Sequence, residues 1–114
     1  MRNEAMPAER AFLGAIGICA KARKLIMGVP MICEAMKAGK RIFLVLEPCD
    51  NASNSSKRLH DRCAYYNVPM HTLALDGEAL AAAVGKKARL GAVAVTDEHL
   101  YRLVLSSLGK TTEN

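Results

Sequence analysis

Along this chain, segments with helical hydrophobic spacing alternate with apolar runs of only three to six residues, and few folds accept that rhythm. Phe12, Ala15, Ile16, Cys19 and Ala20 form a helical stripe behind Pro7, which suits a first helical turn. Leu25-Ile26-Met27 follows as a short strand. A helix then runs from Pro30 to Ala38, with Ile32, Ala35 and Met36 inward and Gly39 as its stop. Ile42 to Leu46, IFLVL, is continuously apolar and rich in strand formers, which predicts a central strand buried on both sides. Beyond a polar loop from Glu47 to Asn54, a helix capped by Ser53 or Asn54 buries Leu59, Cys63 and Tyr66. Its Lys57, Arg58 and Arg62 read as a solvated face. Met70 to Leu75 is the third main strand, and Asp76 caps a helix from Gly77 to Val84 that Gly85 closes. Ala92 to Val95 is a further strand. Thr96 or Asp97 caps a last helix whose Leu100, Leu103, Val104 and Leu108 face the core, with a frayed polar tail after Gly109. The whole predicts one α/β domain over residues 1–114, with a central sheet covered by helices on both faces.

Chemistry concentrates between Lys21 and Gly39. Gly28-Val29-Pro30 brings an open backbone to a helix start, where free N–H groups and the helix dipole favour an anion. Lys21, Arg23 and Lys24 lie just upstream, so a phosphate-bearing ligand is the natural expectation. Met31 sits beside the turn. Glu34, one turn into the helix, has the opposite sign. A second basic segment, Lys86-Lys87-Ala88-Arg89, lies in the loop before the last strand. It reads either as a phosphate contact or as a solvated loop.

The charge of +5 suits a polyanionic partner. With 4% aromatic residues and no Trp, an extended base-stacking platform is not expected. Cys19, Cys33, Cys49 and Cys63 contain no Cys-x-x-Cys pair, so neither zinc nor any other metal or cofactor is expected. They read as reduced thiols, with Cys19, Cys33 and Cys63 buried on apolar stripes. The first ten residues are charged and lack the apolar core of a secretory leader. No apolar run reaches the ~20 residues of a membrane span. The expected setting is cytoplasmic, with no membrane partner. His60, His71 and His99 share no ligand spacing, and Asp61 and Asp97 have no acid–base partner in the sequence. With no nucleophile motif or nucleotide loop either, the chain reads as a non-enzyme.

Several strings together resemble the kink-turn RNA-binding ribosomal protein family, which includes the archaeal multifunctional large-subunit protein and short bacterial members of the YlxQ type. They are LGAIGICAKARKLIMG, EAMKAGK with IFLVLEPCDNAS, LHDRCAYYNVPM and AAAVGKKARLGAVAVTDEHL, spanning Leu13 to Leu108. The resemblance implies a three-layer α/β/α sandwich around a four-stranded mixed sheet. It implies binding of a sharply bent RNA, kink-turn-like or ribosomal, and association with the ribosome. The corresponding surfaces here are Gly28 to Glu34 and Lys86 to Leu90. The family's Gly-x-Asn-Glu-x-x-Lys motif is altered: Gly28 stands, but Pro30, Met31 and Glu34 occupy the Asn, Glu and Lys positions. Pro and Met cannot reproduce hydrogen bonds to base edges, and Glu34 turns attraction into repulsion. The expectation is RNA binding through an altered motif. The alternative is a chain that has lost RNA readout and serves as a protein-interaction module.

Overall fold

The computed structural model describes the backbone of residues 7–112 and the side chains of residues 10–108. The leader-free reading of the first ten residues falls largely outside them. The elements run α1 (Pro7–Lys21), β1 (Leu25–Met27), α2 (Val29–Lys37), β2 (Leu44–Glu47), α3 (Ser53–Tyr66), β3 (Met70–Thr72), α4 (Gly77–Ala83), β4 (Val93–Val95) and α5 (Glu98–Thr112). The sheet order is β1-β4-β2-β3. β2 and β3 are parallel, with Val45 opposite Met70, while β4 is antiparallel to both β1 and β2. The sheet is therefore mixed, and the expected α/β/α sandwich is what forms.

Strand alternation builds two cores. Leu44 and Leu46 of β2 and Val93 and Val95 of β4 point to one face, where Phe12, Ile16, Leu80, Val104 and Leu108 cover them. Val45 and Ala94 point to the other, against Ile32, Cys33, Met36, Leu59 and Cys63. Both central strands are buried along their whole length, whereas the edge strands β1 and β3 are not. This is why IFLVL reads as unbroken apolar sequence: neither face of that strand meets water.

Boundaries differ from the sequence expectation in instructive ways. β2 starts at Leu44, because pairing with Val95 begins there, and it extends to Glu47 rather than ending at Leu46. β3 stops at Thr72, since the Leu73 N–H bonds the Glu47 carbonyl and the chain then turns. No side chain caps α3; Ala52 is its N-cap residue, not Ser53 or Asn54. α4 ends at Ala83, one residue short of Val84. Asp76 and Asp97 cap α4 and α5 through the N–H groups of Ala79 (2.9 Å) and Leu100 (3.0 Å). Leu103 is 41% exposed, because Leu100, Val104 and Leu108, spaced by four, define the inward stripe of α5. Helix α5 also runs past Gly109 to Thr112, where a frayed tail was expected.

Candidate nucleic-acid interface

Strand directions gather the candidate site at one end of the sheet's strands. β1, β2 and β3 all run toward this end and β4 departs from it, so Gly28, Glu47, Thr72 and Gly91 share one pole. Gly28 adopts φ 94°, ψ 140°, a conformation closed to side chains, and this lets β1 turn directly into α2. Its N–H bonds the Ala92 carbonyl (2.9 Å), and its carbonyl accepts from Ile32 (3.0 Å), the first bond of the helix.

Three segments enclose an open cleft of about 410 Å³. They are Gly28–Pro30, the turn Asp50–Ala52 with Ser55, and Arg89–Gly91. Close approach joins them. A Cβ on Gly91 would lie 2.8 Å from Asn51 Oδ1 and 3.3 Å from Val29 Cγ2. A Cβ on Gly77 would lie 2.7 Å from the Leu90 carbonyl. Asp50 ties the turn to the start of α4 and to the Arg89 segment: its Oδ1 accepts from the Gly77 N–H (2.8 Å), and its carboxylate pairs with Arg89. Arg89 also donates to the Asp50 carbonyl (3.1 Å). The Gly77 N–H foremost, and then Arg89, hold the Asp50 carboxyl below its usual range.

Behind the turn lies Glu47, 3% exposed. It accepts from Asn51 Nδ2 (2.9 Å), His60 Nε2 (2.9 Å) and Thr72 Oγ1 (3.4 Å). A carboxylate only accepts, so His60 carries its proton on Nε2 in this arrangement. Burial alone would push the Glu47 carboxyl up, but hydrogen bonds from Ser56, Asn51 and His60 together hold it below the ordinary glutamate value.

The sequence-derived candidates separate into distinct places. Gly28, Val29, Pro30 and Arg89 line the cleft. Val29 is buried, Pro30 is exposed and Met31 is 61% exposed beside them. Glu34 is exposed one turn further along α2. Lys86, Lys87 and Ala88 are exposed beyond the far end of α4, where the Lys86 N–H bonds the Ala81 carbonyl (2.9 Å). Lys21, Arg23 and Lys24 are not brought to the cleft. They precede β1, at the opposite end of the strands, where the Lys24 carbonyl accepts from the Thr96 N–H (3.0 Å). Sequence reading missed Asp50, Asn51, Ala52, Ser55 and Gly91 as cleft residues, although CDNAS at the start of α3 was the available signal; Leu90 falls within the Lys86–Leu90 surface that it named. It also missed Glu47, placed in a polar loop. Among the described residues, no group of His, Cys, Asp or Glu could hold a metal ion, and no helix is long and apolar enough to cross a membrane.

Residues 10–104 match the ribosomal protein L7Ae/L30e/S12e/Gadd45 family. The chain is 33% identical over 93 residues to RNA-binding protein YlxQ of Bacillus subtilis (strain 168), a match covering 82% of this chain and 90% of that protein. A solved protein of unknown function from Bacillus halodurans is similar with TM-score 0.75 and 27% identity, over 85% of this chain and 95% of its own. The Giardia lamblia 15.5kD RNA binding protein shares the fold at TM-score 0.71 and 18% identity, over 96% of this chain and 92% of its own.

Proposed function

Because the chain belongs to the ribosomal protein L7Ae/L30e/S12e/Gadd45 family, we propose that it is a non-catalytic, cytoplasmic RNA-binding protein that works on or with the ribosome. The cleft between Gly28–Pro30, Asp50–Ala52 and Arg89–Gly91 is the RNA site, and a bent, kink-turn-like RNA is its ligand. The observation that carries this reading is the delivery of Gly28 straight into the start of α2 beside Gly91, which leaves an exposed helix start facing an open cleft. Exposed N–H groups at such a start favour a phosphate or base acceptor. Lys86 and Lys87 add attraction from the neighbouring loop. Arg89 contributes less net charge than its type suggests, because Asp50 pairs with it.

Recognition is altered at Pro30, Met31 and Glu34. Pro30 removes one N–H from the helix start, Met31 offers apolar surface, and Glu34 repels phosphate. The resulting RNA affinity is lower than that of a relative with Asn, Glu and Lys at these positions. The same three residues favour a second reading, in which the exposed Met31 and Pro30 surface docks a protein. Titrating a labelled kink-turn RNA at several salt concentrations decides between them. A steep loss of affinity with salt supports RNA binding; no binding at low salt rules it out in favour of the protein-docking reading.

A further inference from the structure

The cations expected at the cleft assemble instead at the other pole. Three strand ends meet there: Leu25 and Leu44 both face Val95 across β4, and the Phe43 N–H bonds the Val95 carbonyl (2.9 Å). The Thr96 N–H and hydroxyl both bond the Lys24 carbonyl, which fixes the α1–β1 turn against β4. This register puts Lys24 and Phe43 on either side of one strand, about 10 Å apart. Lys21, Arg23 and Lys24 are exposed on the first side, and Lys40 and Arg41 on the second, with Lys37 in the last turn of α2. None of these six forms an ion pair among the described residues. Of the acids that follow β4 at this pole, Asp97 caps α5 and Glu98 pairs with Arg102; Glu34, one turn before Lys37 on α2, is exposed.

An ordered aromatic stack stands within this cluster. The Arg41 guanidinium lies over the Phe43 ring at 5.0 Å, and Phe43 stacks on Tyr101 with centroids 5.7 Å apart and planes 28° from parallel. Arg41 is the exposed outer layer, and a guanidinium plane accepts a stacked base. Beside it, Lys40 and Arg41 line a depression of about 230 Å³ between the ends of α2 and α3.

We propose that this pole is a second RNA-binding surface, which takes the phosphate backbone of single-stranded RNA flanking the cleft's ligand and stacks an unpaired base on Arg41. The inference rests on the reading of the partner as RNA, but not on kink-turn recognition. Charge and a planar stacking layer occur together here, which favours a nucleic acid over an acidic peptide or a lipid surface.

The test uses the full chain, a kink-turn hairpin with short stems, the same hairpin with a single-stranded extension of about 15 nucleotides, and an oligouridine of that length. The variant Lys24→Ala/Lys40→Ala/Arg41→Ala removes charge at this pole alone. The parent should bind the extended hairpin about tenfold more tightly than the short one, with a salt slope steeper by about 2 for three phosphate contacts. The variant should bind both hairpins as the parent binds the short one. Arg41→Lys should keep the slope and weaken extended-RNA binding about threefold; equal affinity would remove the stacking role. If the short hairpin does not bind at all, kink-turn recognition fails, while oligouridine binding that the triple variant abolishes still supports the second surface. Equal affinity of the parent for both hairpins, or an undiminished preference in the variant, would overturn it. So would binding to polyglutamate or to phosphatidylglycerol vesicles in preference to oligouridine.

Discussion

Glu47 does its work through what it positions. Its carboxylate is surrounded by Asn51, Ser56, His60 and Thr72, so it joins the turn after β2 to α3 and β3. Asn51 in turn packs on Gly91 in the cleft. Glu47→Gln keeps the shape but turns an amide donor toward groups that already donate, which should cost about 1–3 kcal/mol of stability. The pH dependence has a defined sign. The folded carboxyl is held below its unfolded value, so its stabilisation is present above the ordinary glutamate range and is lost as pH falls through the folded value. Urea unfolding of parent and variant should therefore converge in acid and separate toward neutral pH; a constant difference down to strongly acid pH would show that the charge is not what matters. Glu34 is the carboxylate on which the proposed RNA reading turns. Reversing its charge changes the interaction with a nearby phosphate by about 1 kcal/mol or more. Glu34→Lys should tighten kink-turn RNA binding several-fold at fixed salt, and adding Pro30→Asn with Met31→Glu should tighten it further. An unchanged affinity in Glu34→Lys would mean that this position points away from the RNA.

At the scale of elements, the cleft depends on how closely α4 approaches the loop before β4. Gly77 donates to Asp50 and accepts from Leu90, and a Cβ there would lie only 2.7 Å from a backbone oxygen. Gly77→Ala must push the Arg89–Gly91 segment aside, at a cost of about 1–3 kcal/mol, and should weaken RNA binding as well. Gly14 provides the contrast. It lies inside α1 with nothing within 4 Å of an added Cβ, so Gly14→Ala should be neutral or stabilising by up to about 1 kcal/mol. Thermal melts of the two variants, with RNA titrations alongside, check the pair. Equal melting shifts would mean that α4 and its neighbouring loop readjust freely.

For the molecule as a whole, two cores on one thin sheet make the thiols reporters of global opening. Cys19 lies in one core, and Cys33 and Cys63 in the other, while Cys49 is exposed. Burial, followed by Cys33 and Glu47, pushes the Cys63 thiol up to about 11, and burial, then Asp97, raises Cys19. Neutral buried thiols react slowly. One thiol, Cys49, should label fast under native conditions, and the other three should follow at the rate of unfolding. Fast labelling of Cys33 or Cys63 would show that the face carrying α2 and α3 opens independently of the other.

The α/β/α layering was legible in the sequence, because burial on both faces leaves a continuous apolar strand and burial on one face leaves a helical stripe. IFLVL, the Phe12–Cys19 stripe and the Asp76 and Asp97 caps are local signatures of that kind, as is Gly28, whose conformation only glycine accepts easily. The composition of the cleft was legible only in part. Gly28 and Pro30 mark their own turn, but Asp50, Asn51 and Gly91 reach it through strand register, which depends on residues far apart in the chain. Register also decided where the charges went. Lys24 and Gly28 are close in sequence, and a short extended strand sets them at opposite ends of the sheet's strands. Whether Glu47 lies in a solvated loop or in a buried cage of donors was likewise decided by α3 and β3 closing over it, because a charged side chain is buried only where distant partners replace its water.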